Sequence, residues 1–180
     1  MELKEAIMTR RTVRKFTDKA VSKETMTEII SLAAYVPSWK NSRTARWNVI
    51  TDRAVIERIA NEATMGFDHN KEIIINCPCL VIQSTVTGIC GYERDGSFST
   101  SKGDSWEMYD SGIAAQTFSL AAHDAGLGSV IMGIIDDKKI AEIINLPDTE
   151  RVTAAIAVGY PAEEPKCPPK KSAEEITRFI

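Results

Sequence analysis

The chain has 180 residues, of which 43% are hydrophobic and 26% charged, a composition that is typical of a soluble globular protein and excludes disordered and fibrous classes. The net charge of −3 at pH 7 gives no reason to expect a nucleic acid or an anionic membrane as partner. Apolar stretches such as residues 127–135 are too short to span a bilayer, and the amino-terminal residues lack the apolar core of a signal peptide. We therefore expect a cytoplasmic protein that forms one domain over residues 1–180.

Helices and strands alternate along the chain. The predicted helices have apolar residues every three or four positions and several begin at a capping residue, whereas the predicted strands are short apolar runs rich in β-branched residues. In chain order we predict a short helix ending at the basic residues 10–16, a helix from Ser22 to about residue 35, a strand at 46–51, a helix beginning at Asp52, a strand at 79–82, a helix at 105–125, a strand at 129–134, a helix beginning at Asp136 and a strand at 152–158. This order predicts an α/β or α+β fold with one mixed sheet.

Two polar stretches show no usable periodicity. One runs from the end of the third predicted helix to about Lys71 and receives no assignment. The other, residues 88–103, is rich in glycine and serine and contains the aromatic residues Tyr92 and Phe98. A loop of this length in a compact domain is often a functional lid, so we expect these two aromatic side chains to cover a substrate.

The sequence gives little indication of a metal site or of a catalytic acid and base. Cys77 and Cys79 form a close thiol pair, but zinc requires four ligands and the two histidines, His69 and His123, lie at unsuitable spacings. The four cysteines are better explained as free thiols, because a chain of this size rarely needs disulfides. No arrangement of nucleophile, base and acid is recognisable. We therefore assign no catalytic acid or base and no metal ligand.

The first informative segment is residues 10–16, Arg-Arg-Thr-Val-Arg-Lys-Phe, and the second is residues 37–43, Pro-Ser-Trp-Lys-Asn-Ser-Arg. Guanidinium groups suit a phosphate dianion, and backbone groups with an amide can bind the edge of a polar ring. Taken alone, the first segment is equally well explained as a solvated basic surface and the second as a turn after a helix.

Two further segments complete the pattern. Residues 110–116 lead into Gly126-Leu127-Gly128 and a strand to residue 133, and residues 159–165 carry Gly-Tyr-Pro before Lys170. The glycine pair alone would be a helix C-cap and strand entry. It is no dinucleotide fingerprint, because no strand precedes it and no helix opens after it.

Together these segments resemble the nitroreductase family of flavoenzymes. Residues 10–16 are similar to the family's opening Arg-Arg-Ser-x-Arg-x-Phe, and residues 37–43 to its loop Pro-Ser-x-x-Asn-x-Gln. Residues 110–116 and 126–133 resemble the family's core helix followed by Gly-Leu-Gly and a strand. The chain departs from the pattern where Arg43-Thr44-Ala45 replaces the usual Gln-Pro-Trp and where Lys170 stands for a closing residue that is often Arg.

The resemblance implies a mixed sheet flanked by helices and an intertwined homodimer that encloses two FMN sites, each built from both chains. The residues implied for the FMN phosphate and ribityl chain are Arg10, Arg11, Thr12, Arg14 and Lys170. Those implied for the flavin ring are Pro37, Ser38, Trp39 and Asn41 from the other subunit, together with Ile131, Met132 and Gly133.

The implied activity is ping-pong transfer of hydride from NAD(P)H through the flavin to a nitroaromatic, a quinone or a similar acceptor. The sequence leaves other reactions on this scaffold open, among them reductive dehalogenation, flavin fragmentation and azoline oxidation. It also leaves open a non-catalytic flavin carrier or sensor and a ferredoxin-type electron donor.

Overall fold

A computed structural model describes all residues from 1 to 180. It contains seven α-helices, four strands and one 3₁₀ turn at Trp39–Asn41. The bounds are α1 Leu3–Thr9, α2 Lys23–Ala33, β1 Ala45–Ile50, α3 Arg53–Glu62, α4 Asp68–Asn76, β2 Cys79–Val86, α5 Ser105–Asp124, β3 Gly128–Met132, α6 Asp137–Ile144, β4 Glu150–Gly159 and α7 Ala173–Ile176.

Three helix starts follow from capping side chains, as the sequence predicts. The Ser22 hydroxyl accepts a hydrogen bond from the backbone N–H of Thr25 at the start of α2, and Asp52 caps α3 in the same way. The Asp136 carboxylate accepts from the N–H of Lys139 at the start of α6. Each cap satisfies a backbone donor that the first helical turn leaves free.

The four strands form one antiparallel sheet in the order β1-β2-β4-β3. The predicted mixed fold of helices around a sheet is thus confirmed. Strands β2 and β4 occupy the centre and are almost fully buried, because helices cover both faces of the sheet. Strand β3 lies at one edge, which leaves its outer side available to another segment.

The sequence did not indicate two of the helices, α4 and the four-residue α7, and of these α4 is the longer. Its N-cap residue, Phe67, provides no capping side chain, and the polar residues at its start obscure the helical period. Ile73 and Ile74 are nevertheless buried in the core, so tertiary packing rather than local sequence determines this helix.

Strand β2 continues beyond the predicted end at residue 82. Two of its additional residues are polar, buried and paired through their side chains: the Gln83 amide donates to the Ser111 carbonyl at 2.9 Å, and the Ser84 hydroxyl donates to Glu150 at 2.6 Å. Long-range hydrogen bonds therefore permit polar residues in a central strand.

The sheet separates two hydrophobic cores. One lies against α3, α4 and α6 and includes Cys77, and the other lies against α2 and α5 and includes Cys79 and the fully buried Phe118. Cys77 ends helix α4 and Cys79 begins β2, and the two thiols belong to different cores. None of the helices combines the length and the apolar character that crossing a bilayer requires.

Candidate functional site

The basic segment, residues 10–16, runs along the free edge of the sheet. Thr12 forms a parallel bridge with Ser129 of β3, and the Val13 N–H donates to the Ser129 carbonyl at 3.1 Å. Glycine is required at position 128, because a Cβ atom there would lie 2.6 Å from the side chain of Val13. The segment is therefore fixed against the sheet by its backbone.

The arginine side chains of this segment lack acidic partners. Arg10, Arg11 and Arg14 form no salt bridge within the chain. The Arg11 guanidinium donates to the Met8 carbonyl at 2.7 Å, whereas the Arg14 side chain is exposed. The Glu163 carboxylate accepts the backbone N–H of Arg14 at 3.0 Å but pairs with none of these guanidinium groups, which therefore remain available to an anionic ligand.

The positive charge of this segment affects the pKa of His123 in the last turn of α5. His123 Nε2 lies 2.8 Å from the Thr9 hydroxyl, which places it beside the start of the basic segment. The pKa of His123 is lowered, first by burial and then by the positive charges of Arg10 and Arg11. The imidazole therefore favours its neutral form in this electropositive surrounding.

A cleft of about 880 Å³ opens beside the basic segment and includes Arg14. Arg53 of α3 and two polar residues of α4, His69 and Glu72, also line it. These last two are not among the predicted site residues, because the local sequence does not indicate α4. Because packing rather than a local pattern determines α4, no local signal in the sequence would have found them.

The Trp39 loop, residues 37–43, lies at the other end of α5. The Trp39 N–H donates to the Asp110 carboxylate at 2.7 Å, and the Arg43 N–H donates to the Ser38 hydroxyl at 2.9 Å. The Trp39 ring packs against Trp106 with a centroid distance of 4.9 Å. Asn41 is exposed, so its amide is available to a ligand.

The three predicted ring residues at the end of strand β3 differ in how far they are exposed. Ile131 is 46% exposed, whereas the Met132 side chain is 3% exposed and packs in the core against α3, α4 and α6. Gly133 follows at the surface. Of these three predicted ring residues, Met132 can therefore meet a ligand only through its backbone.

The hairpin loop, residues 88–103, is folded onto itself and onto α5. Tyr92 and Phe98 pair as an isolated bridge, and their rings lie 4.9 Å apart. The Gly88 N–H donates to the buried Glu107 carboxylate at 2.9 Å. Phe98 is exposed, so the loop presents an aromatic surface on a fixed base.

A single chain does not bring the predicted residues into one place. Asp110, which holds the Trp39 loop, and His123, beside the basic segment, are 13 residues apart on α5, which corresponds to about 20 Å along a helix axis. Lys170 lies in the exposed carboxyl-terminal tail and forms no salt bridge. The Trp39 loop and the basic segment thus lie at opposite ends of α5, the longest helix.

Comparison with known proteins agrees with this architecture. The model of the Nitroreductase family matches residues 7–160. A protein of Methanothermobacter thermautotrophicus named "Putative NADH dehydrogenase/NAD(P)H nitroreductase" is 31% identical over 172 residues, covering 92% of this chain and 80% of that protein.

Two solved structures have the same fold over nearly the whole chain. The nitroreductase family protein of Streptococcus pneumoniae TIGR4 superimposes with a TM-score of 0.87 at 21% identity, covering 99% of this chain and 100% of that one. The FMN-dependent nitroreductase of Clostridium difficile R20291 superimposes with a TM-score of 0.79 at 25% identity and covers 98% of both chains. The chain is therefore an oxidoreductase that belongs to the nitroreductase family.

Proposed function

We propose that the protein binds FMN and transfers hydride from NAD(P)H to a small acceptor such as a nitroaromatic or a quinone, in a ping-pong sequence. The observation that carries this proposal is the set of arginines that lie along the free edge of β3 without carboxylate partners. The flavin dependence of the C. difficile relative, stated in its name, supports the choice of cofactor.

The basic segment fits the phosphate end of FMN. Arg10 and Arg14 carry guanidinium forks that can bind phosphate oxygens in pairs, and Thr12 adds a hydroxyl donor and acceptor. The backbone pairing of the segment with Ser129 fixes the backbone from which these flexible side chains reach a ligand. Lys170 would add a point charge once the tail approaches the phosphate.

The Trp39 loop fits the ring end. Asn41 is exposed, and its amide can both donate and accept hydrogen bonds. Ile131 offers an exposed apolar side chain near the end of β3, which suits the face of a flat ring. Tyr92 and Phe98 of the hairpin loop are the side chains that we assign to the acceptor.

The separation of the two ends favours a homodimer. About 20 Å of helix lies between the anchors of the basic segment and the Trp39 loop, so we assign the loop to the site of the other subunit. Met108 and Tyr109 of α5 are 41% and 62% exposed. Large apolar side chains that are exposed at neighbouring positions of a helix are typical of a surface that another protein covers.

When bound, the flavin supplies the redox chemistry itself. The chain's own residues bind the phosphate, orient the ring and shape the acceptor pocket. They need not supply an acid or a base to the reacting atoms. We further propose that residues 1–180 act as one domain in the cytoplasm, which the free state of all four cysteines supports.

Visible absorption spectroscopy of the purified protein tests this proposal. Bound oxidised flavin that bleaches when NADH or NADPH is added without oxygen would support an NAD(P)H-dependent reductase. Flavin that neither nicotinamide reduces would favour a carrier or a protein-fed enzyme. A protein that contains no flavin and takes up no added FMN would overturn the proposal.

A further inference from the structure

We propose that Asp110 is a positioning residue of the flavin site, which holds the Trp39 loop in its binding conformation and joins that loop to the hairpin loop. The assignment of a flavin to this loop rests on the proposed function. The positioning of the loop by Asp110 can be tested without any ligand.

The carboxyl group of Asp110 is buried and has two donors from different loops. Asp110 is 6% exposed, and one oxygen, Oδ2, accepts the Trp39 N–H at 2.7 Å and the Cys90 thiol at 3.1 Å. Burial, followed by the hydrogen bond to Asp110, raises the pKa of Cys90 to about 12. The thiol therefore keeps its proton at neutral pH and acts as a donor.

The Trp39 loop needs such an anchor because its backbone is unusual. Lys40, Asn41 and Arg43 have φ angles of +45°, +56° and +52°, in the left-handed region that residues with a Cβ atom rarely adopt. Such conformations persist where the surroundings determine them, and they concentrate at ligand-binding sites. The Asp110 hydrogen bond holds the loop immediately before its first left-handed residue.

A second buried carboxylate makes the hairpin loop part of the same assembly. Glu107 lies one turn before Asp110 on α5 and is 1% exposed. One of its oxygens accepts the Gly88 N–H at 2.9 Å, and the other lies 2.9 Å from the Arg151 guanidinium. Glu107 thus fixes the entrance of the hairpin loop, and Asp110 fixes it again at Cys90.

The consequence is a rigid unit of two loops at one end of α5. The Trp39 loop carries the groups assigned to the flavin ring, and the hairpin loop carries Tyr92 and Phe98, assigned to the acceptor. Because one carboxyl oxygen serves both loops, a change at Asp110 alters the position of both groups together. Asp110 need not touch the flavin to have this effect.

The test compares three variants. Asp110→Ala removes the shared acceptor and leaves the Trp39 N–H and the Cys90 thiol unpaired. Asp110→Asn removes the charge but keeps a carbonyl oxygen that can accept both hydrogen bonds. Ser119→Ala is the matched control, since Ser119 is equally buried on α5 and its hydroxyl bonds only to Ala115 of the same helix.

The first readout uses the protein without flavin. Trp39 and Trp106, with centroids 4.9 Å apart, should give an exciton couplet in far-ultraviolet circular dichroism. We expect Asp110→Ala to lose this signal while Asp110→Asn and Ser119→Ala retain it. In the unchanged protein, hydrogen exchange should find the Trp39 amide protected although it lies in a loop, and this measurement decides the matter if the alanine variant does not fold.

The second readout is flavin binding. We expect Asp110→Ala to raise the Kd for FMN at least about tenfold and to alter the visible spectrum of the bound flavin, while Asp110→Asn restores both. Native exciton signal and native Kd in Asp110→Ala, or rapid exchange of the Trp39 amide, would overturn the inference. If the unchanged protein binds no FMN, the proposed function fails, and the exciton and exchange results still decide the role of Asp110.

Discussion

The two ends of helix α5 are built in opposite ways. At its start, the Trp39 loop and the hairpin loop are held by the buried carboxylates Glu107 and Asp110. At its end, the basic segment is fixed through its backbone, while its arginines have no carboxylate partner. At one end carboxylates of the chain hold the loops in place, and at the other end the guanidinium groups remain free for an anionic ligand.

This difference fits the two parts of the proposed ligand. A flat ring requires contacts at defined positions, so its binding loop benefits from being ordered in advance. A phosphate dianion attracts cations strongly and over a longer range, so flexible guanidinium side chains suffice if nothing neutralises them. The comparison predicts that variants at the two ends fail in different ways.

The largest expected effect lies at the basic end. Replacement of both Arg10 and Arg14 by alanine should weaken FMN binding at least about 100-fold, because each charge-assisted hydrogen bond contributes roughly 1.5–3 kcal/mol. The free energy of unfolding should change little, since neither side chain forms a salt bridge. Flavin fluorescence titration and urea unfolding measure the two quantities.

Lys138→Ala is the control for overall charge. Lys138 is exposed on α6 and forms no salt bridge, so its loss lowers the net charge without touching the basic segment. Equal weakening of FMN binding in this variant would mean that general charge, rather than the basic segment, attracts the phosphate.

A smaller effect is expected at the other end, and it should concern stability first. Gly91 has a φ of +90°, and a Cβ atom there would overlap the carbonyl oxygen of Gly103. Gly91→Ala should therefore lower the free energy of unfolding by roughly 2–4 kcal/mol and loosen the hairpin loop. Urea unfolding at fixed pH measures this change.

Gly96→Ala separates strain from overlap. Gly96 also has a positive φ, of +83°, but has open space where its Cβ would lie. We expect a loss of only about 1–2 kcal/mol, from backbone strain alone. Equal losses in the two variants would show that the close approach of Gly91 to Gly103 does not hold the loop.

The smallest effect is the pH dependence at His123. Its pKa in the folded protein is lowered from 6.5, so the unfolded chain binds more protons as the pH falls below about 6.5, and stability is lost in that direction. His123→Gln should flatten the stability profile between about pH 7 and pH 5. Bound FMN should raise the pKa of His123 in an NMR titration, because phosphate offsets the charges of Arg10 and Arg11.

His69 provides the reference for this titration. It is the other histidine of the chain and lies on α4 rather than beside Thr9. A stability profile that is unchanged by His123→Gln and instead flattened by His69→Gln would contradict the assignment of the pH dependence to His123.

Local signals explain why much of the fold could be predicted. Ser22, Asp52 and Asp136 cap helices through their own side chains, and such caps depend on a few neighbouring residues. Helix α4 and the polar end of β2 depend on packing and on partners far along the chain, which no local pattern reveals. The element ends therefore follow from the sequence where the stabilising contact is local.

The same distinction between local and long-range contacts applies to the candidate site. The basic segment and the Trp39 loop could be found because short motifs encode them. Asp110 was noticed only as part of a motif and Glu107 not at all, because their loop partners, Trp39, Cys90 and Gly88, lie 19 to 71 residues away in the sequence. Acidic residues on a helix face that is predicted to be buried are the sequence signal that could have suggested such anchors, because buried acids need partners.

The central claim is that one subunit's basic segment and the other subunit's Trp39 loop form each site, and complementation tests it most directly. Chains carrying Arg10→Ala/Arg14→Ala are combined with chains carrying Ser38→Ala/Asn41→Ala, and the mixed dimer is isolated with two different affinity tags.

Each variant alone should bind FMN poorly. The mixed dimer should regain one tight site per two chains, because one of its two sites receives an intact basic segment and an intact loop. A mixed dimer with no tight site would show that each chain builds its site alone and would contradict the account.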